Sequence, residues 1–421
     1  MDHRDSDQPP VSRRIVLHCG GFELVEPELL DRRLNNGMEK FPPLWGIAAS
    51  RSAPTLTEDG AVIGWDVTAH GPNWRTTTRF TTLRWDRLVE PYARGPLLPR
   101  LVRGYAALSR FLINGSIKRY FSLAPRYGYF SLYPFVVLIA FILIGLLVSG
   151  IARTFGWLPY APITALILWA AVSIGLFYAV SNLISLDFSL DHWAFAEALA
   201  RRRVKGLDAM LDRFAGEIIA ALAEPDADEV IVSGTSLGAV IAVEAVARAF
   251  EIEATLVRRG RRVALLTTGS SLLQVGLHPG AEGLRRAIAR VAGESELFWL
   301  EIQTTVDPVN FCNTDPVVDL GVAGVRSPVV RVFRLRDLMS EEAYQAIRAN
   351  HVRLHRQYVM PNGKRHYFDF YMISFGPMPL WQRAALAEAA VGAFGEDGAY
   401  HVSVKDAGQK RVTLASQAGI G

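Results

Sequence analysis

Two uncharged runs, "LYPFVVLIAFILIGLLVSG" from Leu132 to Gly150 and "PITALILWAAVSIGLFYAVSNLIS" from Pro162 to Ser185, constrain this chain more than any other feature. Hydrocarbon roughly 30 Å thick is crossed by about 20 residues at helical rise, whereas core helices of soluble domains are usually shorter and carry a polar stripe. The runs are expected to be membrane spans, at about 132–150 and 162–185. Tyr133, Trp157, Tyr160 and Tyr178 lie near their ends, as an aromatic belt would. Arg94, Arg100, Arg103, Arg110, Lys118, Arg119 and Arg126 precede the first run, and Arg201, Arg202, Arg203 and Lys205 follow the second, while the short connection carries only Arg153. Positive flanks stay inside. The expectation is a two-helix hairpin in the inner (plasma) membrane, with the lipid bilayer as a partner and both soluble parts cytoplasmic.

Segments on either side of such a hairpin share a compartment and can fold together. Residues 14–130 and 187–405 are accordingly expected to be the two parts of one domain, interrupted by the hairpin at 131–186. Residues 1–13 would be a flexible N-terminus and 406–421 a loose tail. "MDHRDSDQPPVSRR" lacks the apolar core and small-residue cleavage site of a signal peptide, so the chain is expected to begin in the cytoplasm. The stretch "YAALSRFLINGSIKRYFSLAPRYGYF" fits either a helix on the membrane surface or an ordinary connecting helix.

Composition narrows the function classes. Half of the 421 residues are apolar and 20% are charged, with a net charge of only +4. The basic residues cluster beside the apolar runs rather than with interleaved aromatics on one element, so a nucleic-acid partner is not expected. Cys19 and Cys312 are far apart and form no metal-ligand spacing, which leaves them as reduced, unpaired thiols.

Chemistry concentrates at "VIVSGTSLGAVIAVEAVARA", Val230 to Ala249. Its β-branched start predicts a strand, its alanine-rich end a helix, and Ser236 falls at the junction. Gly234-Thr235-Ser236-Leu237-Gly238 fits the Gly-x-Ser-x-Gly nucleophile elbow, where a tight turn presents a serine hydroxyl at the sheet edge. Glycines are needed there because side chains would collide with the neighbouring strand and helix. The helix N-terminus favours developing negative charge. A glycine-rich turn without chemical role is the alternative.

Several stretches together resemble the α/β-hydrolase superfamily, in particular a lipase- or esterase-like core. "GTSLGA" is similar to the elbow, with Thr235 where many members have histidine. "LLTTGSSLLQVG" resembles the following strand and glycine turn, and "FWLEIQTTVDPV" the strand that ends in the catalytic acid. The whole chain is also similar to uncharacterised bacterial membrane hydrolases with an inserted hairpin. The resemblance implies an α/β fold with a mostly parallel sheet covered by helices on both faces, catalysis without a cofactor or metal, and the order serine, acid, histidine.

Asp307 follows an apolar strand-like run and precedes proline, as a strand-end acid would; Asp315 is its rival. His355 begins a His-x-x-Tyr pattern resembling the lipase histidine neighbourhood, with His351 and His366 as alternatives; His401 is the fourth histidine downstream of the acid. For the oxyanion hole, the resemblance implies the N–H of Leu237 and one from Gly20 or Gly21 in "RIVLHCGGFE", a stretch that a plain β-turn would also explain. Strand signals recur at Arg14–Leu17, Ala61–Val67, Thr76–Arg84, Glu229–Ser233, Val263–Thr268, Phe298–Thr304 and Pro328–Leu335. "SLDHWAFAEALARRRVKGLDAMLDRFAGEIIAAL" reads as one or two amphipathic helices, with His192 and Trp193 as packing residues or neighbours of the site. The expected activity is a serine ester hydrolase with a small-molecule or lipid ester substrate; the alternative is a non-catalytic scaffold or partner protein of the same fold.

Overall fold

A computed structural model describes residues 10–157, 161–253 and 262–401. Tyr160, the first nine residues and the 406–421 tail lie outside the described residues. The chain is α/β, built on one nine-stranded sheet: β1 (Arg13–Cys19), β2 (Ala48–Arg51), β3 (Thr55–Leu56), β4 (Val62–Gly71), β5 (Trp74–Leu83), β6 (Glu229–Thr235), β7 (Arg262–Thr268), β8 (Leu297–Thr304) and β9 (Val329–Phe333). The order is β2-β4-β5-β1-β6-β7-β8-β9, with β3 paired to β4.

The sheet is mixed, which corrects the expected mostly parallel one. From β5 through β1 to β9 every pairing is parallel. β2, β3 and β5, in contrast, all run antiparallel to β4. The cause is local: Pro72-Asn73 closes a two-residue turn between β4 and β5, and so short a connection permits only antiparallel pairing. β2 and β3 were not expected; they are short, and their residues are exposed or half-buried, so no apolar alternation marks them.

The parallel strands read as apolar runs because the pleat divides them between two cores. Ile15, Leu17, Val230, Val232, Val263 and Leu265 belong to one cluster. Val16, Ile231, Ala264, Leu266, Leu300 and Ile302 belong to the other. The sheet also joins the parts of the chain before and after the apolar helices: β1 pairs with β6 from Arg14↔Glu229 to Cys19↔Gly234. At that seam Arg14 and Glu229 form a fully buried ion pair, Nε to Oε2 at 2.7 Å. Arg14 also donates to the carbonyls of Gly376 (2.5 Å) and Met378 (2.9 Å), and the Leu380 N–H donates to Glu229 (2.8 Å).

Two helices, Pro125–Thr154 and Ala161–Ile184, are long and apolar enough to cross a membrane. The described residues of the second leave its apolar window with nothing buried, and that of the first is only 22% buried. They are therefore not core helices. The two pack on each other where Gly145 leaves no room for a side chain: an added Cβ would lie 2.5 Å from Ser173 Oγ. The first helix starts at Pro125, earlier than its uncharged run. The following helix, Leu186–Ala200, is buried nearly all round rather than amphipathic. The segment before Pro125 forms helices Leu97–Ile113 and Ser116–Leu123, whose Leu108, Phe111, Ile117 and Tyr120 are fully buried in the core.

Candidate active site

β6 ends at Thr235, the helix Leu237–Ile252 begins at once, and Ser236 between them has φ 57° and ψ −128°. That conformation is costly for a residue with a Cβ, on the order of 1–3 kcal/mol, and persists only where the surroundings impose it. Here they do. The Ser236 N–H donates to the Thr268 carbonyl (3.1 Å) and its own carbonyl accepts from Ser271 (3.1 Å). A Cβ at Gly234 would sit 2.5 Å from Ala239 Cα, and one at Gly238 only 2.1 Å from the Gly20 carbonyl oxygen. Both glycines of the motif are thus sterically required.

The Gly238 contact brings the loop after β1 against the start of the helix Leu237–Ile252. Gly21 lies beside the serine: a Cβ there would be 3.6 Å from Ser236 Cβ. The Gly20 carbonyl accepts from Trp85 Nε1 (2.9 Å), which fixes the loop from behind. Cys19 is fully buried, and burial pushes its thiol well up, so it packs rather than reacts. Leu237 is the first residue of its helix, and a first-turn N–H has no intrahelical acceptor. Gly238→Ala is expected to push the two segments apart, destabilising the fold by about 1–3 kcal/mol and suppressing labelling of Ser236 by a fluorophosphonate. Thermal unfolding and gel fluorescence read the two effects.

Asp307 stands in the loop after β8 and is 2% exposed. Its Oδ1 accepts from the Val309 N–H (2.9 Å), and its Oδ2 lies 2.5 Å from His355 Nδ1. With Nδ1–H given to the carboxylate, Nε2 is the basic nitrogen, and this atom is buried without a hydrogen-bond partner. His355 sits on the short helix His351–Arg356, whose N-cap Asn350 accepts from Arg353 N–H (2.9 Å). The tyrosine of the His-x-x-Tyr pattern, Tyr358, is fully buried against Gly269 in the turn after β7. Gly269 has φ 49°, and a Cβ on it would be 2.4 Å from the Tyr358 ring.

Ser236 and His355 line one cavity, together with Gly21, Phe22, His192, Trp193 and His351. No hydrogen bond joins Ser236 to His355 among the described residues. The other candidates lie elsewhere or act differently. Asp315 caps a turn, its Oδ1 accepting from Val317 and Val318. His366 accepts from Phe368 N–H (3.1 Å) and stacks on Tyr367, and His401 is exposed at the end of the described chain. His351 shares the cavity, its ring against Phe130 and Tyr133 and its Nε2 buried without a partner.

Of the two places the sequence leaves open for His192 and Trp193, packing or a position beside the site, the structure gives both residues the second as well as the first, since they are buried and line the cavity. Burial, with the nearby His355 and His351, lowers the pKa of His192 to about 3, so it is neutral at pH 7. Burial likewise lowers His18 to about 4. An unfolded histidine takes up a proton near pH 6.5. Acidification through that value charges the unfolded chain first, so stability is full above it and is lost as pH falls. For His192 alone the loss at pH 5 is about 2 kcal/mol. Burial raises Glu301 to about 7, which acts in the opposite direction over this range, so the His192 contribution is read as a difference: between pH 7 and 5 the melting temperature of His192→Gln is expected to shift upward relative to that of the unsubstituted protein.

Among the described residues no group of three or more His, Cys, Asp or Glu is placed to hold a metal. No family model matches the chain, and neither a curated protein nor a solved structure does.

Proposed function

We propose that this chain is a membrane-anchored serine hydrolase of the α/β-hydrolase type that cleaves an acyl ester. The observation that carries the reading is the Asp307–His355 contact of 2.5 Å, made by an imidazole that shares a cavity with a strained serine. In this reading Ser236 Oγ attacks the ester carbonyl carbon while His355 Nε2 takes its proton. The carbonyl oxygen becomes an oxyanion facing the N–H groups of Leu237 and of Gly20 or Gly21. As the ester C–O bond breaks, His355 passes the proton to the leaving alcohol. Water then adds to the acyl-serine with His355 again as base, releasing the acid and restoring Ser236. The same residues support the α/β-hydrolase assignment, since serine, acid and histidine follow in that order from the ends of parallel strands and the loops after them.

The membrane part of the proposal rests on the two exposed apolar helices and the basic residues flanking them. Both soluble segments face the cytoplasm, and the Arg153 connection faces out. Arg153→Cys in intact cells is expected to react with an impermeant maleimide from outside; reaction only after permeabilisation would overturn the topology. A Ser236-dependent fluorophosphonate adduct in isolated membranes tests the hydrolase reading itself. A chain that binds a partner through this fold but never labels at Ser236 would be the scaffold instead.

A further inference from the structure

Part of the cavity wall is not needed by the triad. Phe130, Phe188 and Ser189 line it. Phe130 belongs to the base of the first apolar helix, and Phe188 and Ser189 to the helix that starts directly after the second. Tyr133 marks the boundary: its hydroxyl donates to the Ser185 carbonyl (3.3 Å) and hydrogen-bonds Ser189, and its ring lies 5.8 Å from that of His351. At helical rise, Phe130 is about 5 Å along the axis from Tyr133, and the uncharged run begins between them, at Leu132. The cavity wall therefore adjoins the start of the uncharged run.

Phe22, Trp193, Val309, Val352 and Val359 add apolar surface to the lining, beside the polar side chains of Thr235, His192 and His351. Its two charged residues, Glu23 and Arg356, pair with each other at 3.0 Å. Glu23 is also paired with Arg33, so the charges at this edge already have partners within the protein.

The geometry points to an uncharged, long-chain acyl ester that reaches Ser236 from the bilayer, past the bases of the two apolar helices, rather than from water. The inference rests on the hydrolase reading of Ser236 and adds the substrate class and its route. A chain that slides from hydrocarbon into an apolar cavity avoids water, where each methylene lowers its available concentration roughly fourfold. The apolar helices are then part of the binding site and not only an anchor.

The test uses the full chain in vesicles of non-hydrolysable ether-linked phosphatidylcholine. Dioleoylglycerol is placed in the protein's own vesicles or in a separate population, and initial rates are taken before the lipid exchanges. Hydrolysis in the shared vesicles is expected to be faster by about tenfold or more. Dioleoyl phosphatidylglycerol, the anionic comparator, should be cleaved more slowly than dioleoylglycerol. Phe130→Trp and Phe188→Trp, which fill the wall, should each lower the ratio of dioleoylglycerol to p-nitrophenyl acetate turnover by about tenfold.

Equal rates from both vesicle populations, faster cleavage of the anionic lipid, or Ser236-dependent acetate cleavage with no dioleoylglycerol cleavage would each overturn the inference and leave the hydrolase standing. Acetate turnover and fluorophosphonate labelling unchanged in Ser236→Ala would remove both readings.

Discussion

Replacing Ser236 by alanine is expected to lower kcat for ester hydrolysis by about 10⁶-fold, the size of effect seen when a triad nucleophile is removed. Alanine keeps the Cβ, so the strained junction with φ 57° and its hydrogen bonds to Thr268 and Ser271 are retained, and the fold should survive. His355→Gln should act almost as strongly, because His355 is the cavity imidazole that hydrogen-bonds Asp307. Asp307→Asn should cost about 10⁴-fold. Its amide can leave His355 in the wrong tautomer while Val309 still donates to the remaining oxygen. These losses should not add: once the serine is gone, removing its base changes little. Stopped-flow or plate assays of a chromogenic ester give the ratios, and near-additive losses would show that the three residues do not act together.

The second large effect concerns stability. Arg14→Met is expected to destabilise the protein by about 3–5 kcal/mol, since it strands the buried Glu229 carboxylate without its cation. The carbonyls of Gly376 and Met378 lose their donors as well. Adding Glu229→Leu should recover part of the loss, because an apolar pair tolerates burial better than a lone charge. The recovery stays incomplete, for the Leu380 N–H then has no acceptor. Thermal unfolding followed by intrinsic fluorescence in detergent measures the series. The variants also test whether the strand before the apolar helices and the strand after them are one cooperative unit, as the β1–β6 pairing implies.

Much of this architecture can be read before any coordinates. Runs such as "VALLTT" show strands because both of their faces are apolar, and the Gly-Thr-Ser-Leu-Gly spacing shows the turn because a side chain at Gly234 or Gly238 would not fit. Asp307 and His355 stand out from Asp315 and His351 only by weak local signs, a strand-end position and a His-x-x-Tyr pattern, together with chain order; their contact is a tertiary fact. Other features leave weaker traces. The antiparallel half of the sheet follows from Pro72-Asn73, a turn signal that is easily passed over between two apolar stretches. The edge strands β2 and β3 bury little, and so write little into the sequence. The lining by Phe130 and Phe188 is not legible, and that by His192 and Trp193 only as one of two places open to them, because each sits in a helix whose neighbours come from distant segments. The close approach of Gly238 to Gly20 is of the same kind.

The central claim is that segments on either side of the apolar helices assemble one nucleophilic site. Peptide mapping of the full-length protein after treatment with a fluorophosphonate tests it most directly. The account predicts a single adduct, on the peptide containing Ser236, that disappears when His355 is changed to glutamine. An adduct on another residue, or an intact chain with no adduct at all, would contradict it.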